Sequence, residues 1–103
     1  MAKMKVTVLR RMANPDFAEQ YCKRADVTLC PLFTEGQEFV VDESFGCPEN
    51  FPCSGAWNSM SLGMEMLMLG LNYPNWMKDE KTLIQCCTDG IRPVVFKLER
   101  IED

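Results

Sequence analysis

The spacing of apolar residues predicts four β-strands. Near residues 4–11, Val6 and Val8 alternate with polar residues, which is the period of two expected of a strand with one buried face. Phe39 and Val41 repeat this spacing. The other three strands are predicted near residues 37–42, 82–87 and 93–100. We expect the four strands to form a small, mainly antiparallel sheet.

Two further stretches predict helices, near residues 15–23 and 55–69. Asn14 and Pro15 suit the cap and first position of the first helix, and Ser54 suits the cap of the second. The second helix has apolar stripes on two opposite sides, one formed by Trp57, Met60, Met64, Leu67, Met68 and Leu71 and the other by Leu62, Met66 and Leu69. Such a helix needs burial on two sides, which a chain of this length rarely provides. We therefore expect a homo-oligomer.

Composition and charge narrow the class of protein. The 103 residues fit a single α+β domain, residues 1–103, and the 47% of apolar and 25% of charged residues argue against disorder. A net charge of −4 repels phosphate backbones, so we expect no nucleic-acid partner. Because no run of about 18 apolar residues is present, we expect no membrane span. The first residues lead into a strand rather than a secretion signal, which predicts a cytosolic protein with reduced thiols.

Asp89-Gly90 lies between two β-rich segments and predicts the turn of a hairpin. If these two residues form the turn, Cys87 lies opposite Arg92; if the turn has three residues, Cys86 does so instead. In either register one cysteine shares a sheet face with the guanidinium, and a neighbouring cation favours the reactive thiolate. Cys86, Cys87 and Arg92 are therefore candidate catalytic residues. Alternatively, the cysteine is a small core residue beside a surface arginine.

Four cysteines are candidate metal ligands. Cys30 and Cys53 lie on predicted loops and could approach Cys86 and Cys87 at the end of the hairpin. Four thiolates would suit zinc or an iron–sulfur cluster. However, the spacing lacks the C-x₂-C pair of common metal sites, and adjacent strand residues point to opposite faces. The chain has no histidine, which removes the usual nitrogen ligand of zinc and the usual general base.

Three motifs resemble the signatures of a small uncharacterised family found in anaerobic bacteria and archaea. Residues 30–39 read Cys-Pro-Leu-Phe-Thr-Glu-Gly-Gln-Glu-Phe, and residues 86–96 read Cys-Cys-Thr-Asp-Gly-Ile-Arg-Pro-Val-Val-Phe. Between them, Cys53 precedes Ala56-Trp57. The resemblance covers nearly the whole chain. The family commonly has Cys-Pro before the Ala-Trp pair, whereas Cys53 is followed here by Ser54, so a role for that proline does not carry over.

The resemblance implies a domain of about this length from an anaerobic source, and it implies no established activity. The positions that it marks are Cys30, Cys53, Cys86, Cys87, Asp89 and Arg92. We expect the two remaining cysteines, Cys22 and Cys47, to be incidental.

Two functional hypotheses follow. In the first, the protein has a cysteine-centred site, either metal-binding or thiol-redox, in which Arg92 stabilises negative charge. In the second, it is a non-catalytic module that binds a small anion or forms a homo-oligomer. Arg92 with Trp57 or Trp76 would then line the pocket, which makes Arg92 and Trp57 the candidate cofactor-binding residues.

Overall fold

The computed structural model describes residues 2–24 and 26–102. This part of the chain forms four strands and two helices, in the order β1 (Ala2–Arg11), α1 (Pro15–Tyr21), β2 (Glu38–Val41), α2 (Ser54–Met68), β3 (Thr82–Cys86) and β4 (Val94–Glu102). The prediction of a small α+β fold, with an antiparallel sheet and two helices, is confirmed. Over these described ranges, no helix has the length and apolar character needed to cross a membrane.

The sheet has the order β2-β1-β4-β3, and each neighbouring pair is antiparallel. The long strands β1 and β4 lie in the middle and pair from Ala2 opposite Glu102 to Arg11 opposite Val94. A bulge between Val8 and Arg10 shifts this register near the end of β1. Because directly opposite residues share a face, the bulge turns Arg11 toward the same side of the sheet as the buried Val94.

Helix α2 packs across one face of the sheet. Its buried residues are Ala56, Met60, Gly63, Met64 and Leu67. They lie against alternate residues of the strands, namely Met4, Val6, Val8, Phe39, Val41, Leu83, Val94, Phe96 and Leu98. Two loop residues complete this core, since the ring centroid of Phe33 lies 5.0 Å from that of Phe96 and the ring of Phe51 lies 4.8 Å from that of Phe39. Both loops are therefore anchored in the core a few residues from a cysteine.

The second apolar stripe of α2 remains largely exposed, with Leu62 74% and Leu69 69% accessible. Met66 is half-buried and packs against the core. Leu71 does not extend the buried stripe, because the helix ends at Met68 and Gly70 then adopts a left-handed conformation with φ of 81°. The helix is apolar on two sides, as predicted, but only one side is buried within this chain.

The predicted registers of the hairpin are both wrong. In the structure Cys86 lies opposite Val95 and Gln85 lies opposite Phe96. The ladder continues by one more residue, because the Cys87 N–H donates to the Val94 carbonyl at 3.0 Å. Residues 88–93 then form the connection, so neither cysteine lies across the ladder from Arg92.

The wider turn has two physical causes. The Asp89 carboxylate accepts hydrogen bonds from the N–H groups of Ile91 and Arg92, at 2.9 and 3.1 Å, which folds the loop on its own side chain. The segment after β1 also binds this loop: Asn14 donates through its side chain to the Gly90 carbonyl at 2.7 Å and through its backbone to the Ile91 carbonyl at 2.8 Å. These contacts keep the loop open beyond the short turn that Asp-Gly predicts.

Candidate functional site

The six cysteines divide into two groups, and all of them are free thiols. Those that are half-buried and pack against the core are Cys30, Cys53 and Cys87, whereas Cys22, Cys47 and Cys86 are exposed. The adjacent pair is split as strand geometry requires, with Cys87 turned toward α2 and Cys86 toward the opposite face. The candidate thiols of the interior are therefore Cys30, Cys53 and Cys87.

Cys53 forms the N-cap of α2. Its Sγ accepts a hydrogen bond from the Ala56 N–H at 3.4 Å, and its carbonyl accepts one from the Trp57 N–H at 3.1 Å. Ser54, the cap expected from the sequence, is instead the first helical residue. The Cys53 sulfur therefore lies at the N-terminal end of a 15-residue helix, next to a backbone N–H donor.

Cys87 makes a similar contact at the end of the β3 ladder. Its Sγ accepts a hydrogen bond from the Val94 N–H at 3.3 Å, while its own N–H donates to the Val94 carbonyl. In an antiparallel ladder the Val94 N–H would normally donate to the carbonyl of the opposite residue, and here the Cys87 sulfur accepts this hydrogen bond instead. Two half-buried cysteines therefore have sulfur atoms that accept backbone hydrogen bonds.

The start of α2 lies against the end of β3, which brings the surroundings of Cys53 and Cys87 together. The Ser59 hydroxyl lies 2.8 Å from the Ala56 carbonyl of its own helix and 3.0 Å from the Cys86 carbonyl, and it can donate to either. A Cβ atom placed on Gly55 would lie 3.3 Å from Thr88 Oγ1 and 3.8 Å from Cys53 Sγ. Thr88, which follows Cys87, and the Cys53 thiol thus both lie within 4 Å of the position that a Gly55 side chain would occupy. Glycine at this position permits their approach.

Arg11 is a cation on the helix side of the sheet that lies beside Cys30. Its Nη1 donates to the Cys30 carbonyl at 3.2 Å, and its Nε donates to Glu35 Oε1 at 2.9 Å. Hydrogen bonds from the backbone N–H groups of Glu35 and Arg11 lower the pKa of the Glu35 carboxyl. Arg11, Val94 and Cys87 form one row across β1, β4 and β3. Sequence reasoning missed Arg11, because its orientation depends on the bulge in β1.

Arg92 lies elsewhere than expected. Its Nε donates to Asp89 Oδ2 at 3.3 Å, and both side chains are partly exposed. Partial burial raises the pKa of Asp89, but the N–H groups of Arg92 and Ile91 and the Arg92 guanidinium outweigh this and lower it. Arg92 also lines a cleft of about 440 Å³ together with Cys22 and Arg24. The guanidinium is therefore held by Asp89 in the loop rather than placed across the ladder from a cysteine.

The two tryptophans line different depressions. Trp57 borders a pocket of about 240 Å³ beside α2. Trp76 is 80% exposed and borders a shallow depression with Tyr73. The structure thus distributes Arg92, Trp57 and Trp76 over three separate surface regions.

Four predicted metal ligands, Cys30, Cys53, Cys86 and Cys87, do not all point to one place, since Cys86 is on the outer face of the sheet. In the ranges that the structure describes, no group of three or more histidine, cysteine, aspartate or glutamate side chains is arranged to hold a metal ion. Comparisons of the chain with protein-family models, with curated proteins and with solved structures give no match.

Proposed function

We propose that this protein carries a thiol-redox site at the junction of α2 and β3, with Cys53 and Cys87 as its reacting thiols. The observation that supports it most is the Cys53 sulfur at the helix N-cap, which accepts the Ala56 N–H. The Cys87 sulfur, which accepts the Val94 N–H, supports it as well. Cys30 packs against the same core and provides a third thiol at this end of the sheet.

The chemistry that suits such a pair is exchange with a disulfide of another molecule. One thiolate attacks the disulfide, forms a mixed disulfide and releases one thiol of the substrate. The second thiolate then attacks the sulfur of the first cysteine, which closes a Cys53–Cys87 disulfide and releases the second thiol. The two electrons that the cysteines lose reduce the substrate disulfide to two thiols.

The first test is the rate of alkylation of each cysteine in protein purified without oxygen. Iodoacetamide at pH 6.5 followed by mass spectrometry of the peptides measures all six thiols at once. We expect Cys53 to react faster than Cys47, although Cys47 is the more exposed of the two. An order of reaction that follows exposure alone, with Cys53 and Cys87 inert until the protein unfolds, would contradict the proposal.

Trapping the intermediate gives a second test. Serine can cap a helix as cysteine does here, so Cys53→Ser keeps the structural role of the residue and removes its thiol. With 2-hydroxyethyl disulfide as the probe, the unmodified protein should form an internal disulfide. Cys53→Ser should instead stop at a mixed disulfide on Cys87, seen as added mass on that peptide, and Cys47→Ser should behave as the unmodified protein.

The metal-binding version of the cysteine site has its own measurement. Elemental analysis of the anoxically purified protein would give about one zinc, or an iron content matching a cluster, if Cys30, Cys53 and Cys86 or Cys87 hold a metal. That result would replace the redox proposal with the metal-binding one. Absence of metal together with unreactive thiols would overturn both.

A second candidate function, an assembly module, is favoured by the exposed apolar stripe of α2. Leu62 and Leu69 are 74% and 69% accessible, and burial of such side chains favours association. Any anion would then bind in the cleft where Arg24 and Arg92 lie. Light scattering tests the assembly: we expect an oligomer at micromolar concentration that Leu62→Gln with Leu69→Gln dissociates. A monomer before substitution would contradict it.

A further inference from the structure

The pocket beside α2 has a chemically mixed wall. It encloses about 240 Å³, and its lining residues are Phe45, Trp57, Ser61, Met64 and Glu65. The last four recur along α2 at the spacing of one helix side, and Phe45 comes from the loop between β2 and α2. Two aromatic residues, an apolar thioether, a hydroxyl and a carboxylate thus surround one small space.

The helix side of this pocket is firmly held. Met64 is 1% exposed and belongs to the core. The Trp57 ring packs against Phe51, with centroids 5.8 Å apart and planes at 68°, and Phe51 is itself 8% exposed. Because the inner residues are packed into the core, this wall exists before any ligand arrives, as in most small-molecule sites.

The loop side is formed by Phe45 in an uncommon backbone conformation. Its φ is 61°, in the left-handed region that bulky residues avoid. A local turn holds it there, since the Phe45 N–H donates to the Asp42 carbonyl at 3.1 Å and the Ser44 N–H donates to Asp42 Oδ1 at 2.9 Å. The loop therefore keeps an aromatic residue at the pocket despite the conformational cost.

The charge at the pocket is negative. Glu65 is exposed and is the only charged residue among the five that line it. In the part of the chain that the structure describes, no basic side chain forms an ion pair with Glu65. The whole chain also carries a net charge of −4. An anion, the ligand that the sequence predicts for a pocket lined by Arg92 and Trp57, would be repelled here, whereas a cation would be attracted.

We propose that this pocket binds a small organic cation, a methylated or quaternary ammonium group, between Phe45 and Trp57 with Glu65 as its counter-charge. Aromatic residues attract such groups through their ring electrons, and a carboxylate adds direct charge attraction. The volume suits a head group of a few heavy atoms, since drug-sized ligands need about 300–1,000 Å³. This binding site is independent of the cysteine site.

Fluorescence of Trp57 gives a direct test, with choline chloride as the probe. Trp76→Phe leaves Trp57 as the only one of the two tryptophans. Sodium chloride at equal ionic strength controls for salt, and 3,3-dimethylbutan-1-ol, in which carbon replaces the choline nitrogen, controls for shape. We expect a saturable signal with choline and at least about fivefold weaker binding of the alcohol. Equal binding of choline and the alcohol, or no saturable signal, would overturn the proposal.

Two variants in this background separate the charge from the aromatic wall. Glu65→Gln should weaken choline binding at least about fivefold and leave the alcohol unaffected. Glu19→Gln on α1 is the matched control, since it changes the net charge by the same amount. It should change neither the binding of choline nor the binding of the alcohol. Phe45→Gly should abolish the choline signal while circular dichroism shows an intact fold, because glycine accepts a φ of 61° without strain. Unchanged choline affinity in Glu65→Gln or in folded Phe45→Gly would refute the site.

Discussion

The two ends of α2 have very different surroundings. At its beginning the helix is capped by the Cys53 sulfur, and the Ser59 hydroxyl lies within hydrogen-bond distance of β3. The rings of Phe51 and Trp57 pack against each other beside this end. At its other end it leads into a segment whose large apolar side chains face solvent: Leu69, Leu71, Tyr73 and Trp76 are 69%, 55%, 54% and 80% exposed. Along one helix, therefore, a tightly contacted end gives way to an exposed apolar end.

This difference separates two kinds of role. The two half-buried thiols whose sulfur atoms accept backbone hydrogen bonds are Cys53, at the first end of α2, and Cys87, at the end of β3. Recognition of a partner needs accessible apolar area, and only the second end offers a concentration of it. One helix can thus serve both hypotheses drawn from the sequence, because the candidate thiols lie at its beginning and the exposed apolar side chains lie along its outer side and beyond its end.

Truncation of an aromatic residue at each end tests this contrast most strongly. Phe51 is 8% exposed and its ring lies near those of Phe33, Phe39, Trp57 and Phe96, whereas Trp76 is 80% exposed. We expect Phe51→Ala to lower the free energy of unfolding by about 3–5 kcal/mol. Trp76→Ala should change it by less than about 0.5 kcal/mol. Denaturation with urea, followed by circular dichroism, measures both.

The outcome also bears on assembly. If Trp76→Ala lowers the free energy of unfolding as much as Phe51→Ala, a second molecule buries Trp76 in solution. The exposure of Trp76 then describes the isolated chain and not the assembled protein. Repeating the measurement at several protein concentrations separates these cases, since only an oligomer unfolds in a concentration-dependent way.

The elements of this fold could be predicted from local pattern. Alternation of apolar residues located the strands, and the two-sided stripe identified α2 and its exposed Leu62 and Leu69. The splitting of Cys86 and Cys87 between two faces also followed from strand geometry alone. Each of these features depends on residues close together in the chain.

The candidate site could be predicted only in part, because its geometry depends on contacts between distant segments. The bulge in β1 turns Arg11 toward Cys30, a residue 19 positions away. The hydrogen bond from the Asn14 side chain to the Gly90 carbonyl spans 76 positions, and it helps to widen the turn that Asp89-Gly90 predicts. Local propensities say nothing about such contacts, so the sequence placed Cys86 or Cys87 opposite Arg92, whereas the structure places them opposite Val95 and Val94.

The hydrogen bond from Ser59 tests how the first end of α2 is attached. Its hydroxyl lies 2.8 Å from the Ala56 carbonyl of its own helix and also 3.0 Å from the Cys86 carbonyl of the edge strand β3, whereas the Ser61 hydroxyl donates to the Asn58 carbonyl within its own helix. Ser59→Ala should lower the free energy of unfolding by about 0.5–1.5 kcal/mol. Ser61→Ala is the matched control and should cost less than about 0.5 kcal/mol.

A second readout distinguishes loss of the Ser59 bond from a general effect of alanine. Without the hydroxyl, the Cys86 carbonyl at the sheet edge loses its partner, so amide exchange should accelerate at the start of α2 and not at its end. Equal destabilisation by Ser59→Ala and Ser61→Ala would show that the two ends of the helix do not differ in their attachment.

The smallest expected effect concerns pH and the loop that faces the first end of α2. The pKa of Asp89 is lowered, against the opposing effect of partial burial, by hydrogen bonds from Arg92 and Ile91. A lowered pKa in the folded state stabilises the fold at pH values above the ordinary aspartate value of 3.8, and this contribution disappears as the pH falls below it. Asp89→Asn should therefore have a lower melting temperature than the unmodified protein at pH 7, and the difference should be smaller at about pH 3 than at pH 7. Because the Asp89 side chain is 38% exposed, solvent keeps this difference small. An equal difference in melting temperature at both pH values would show that the carboxylate charge contributes nothing and that Asp89 serves the loop through its shape alone.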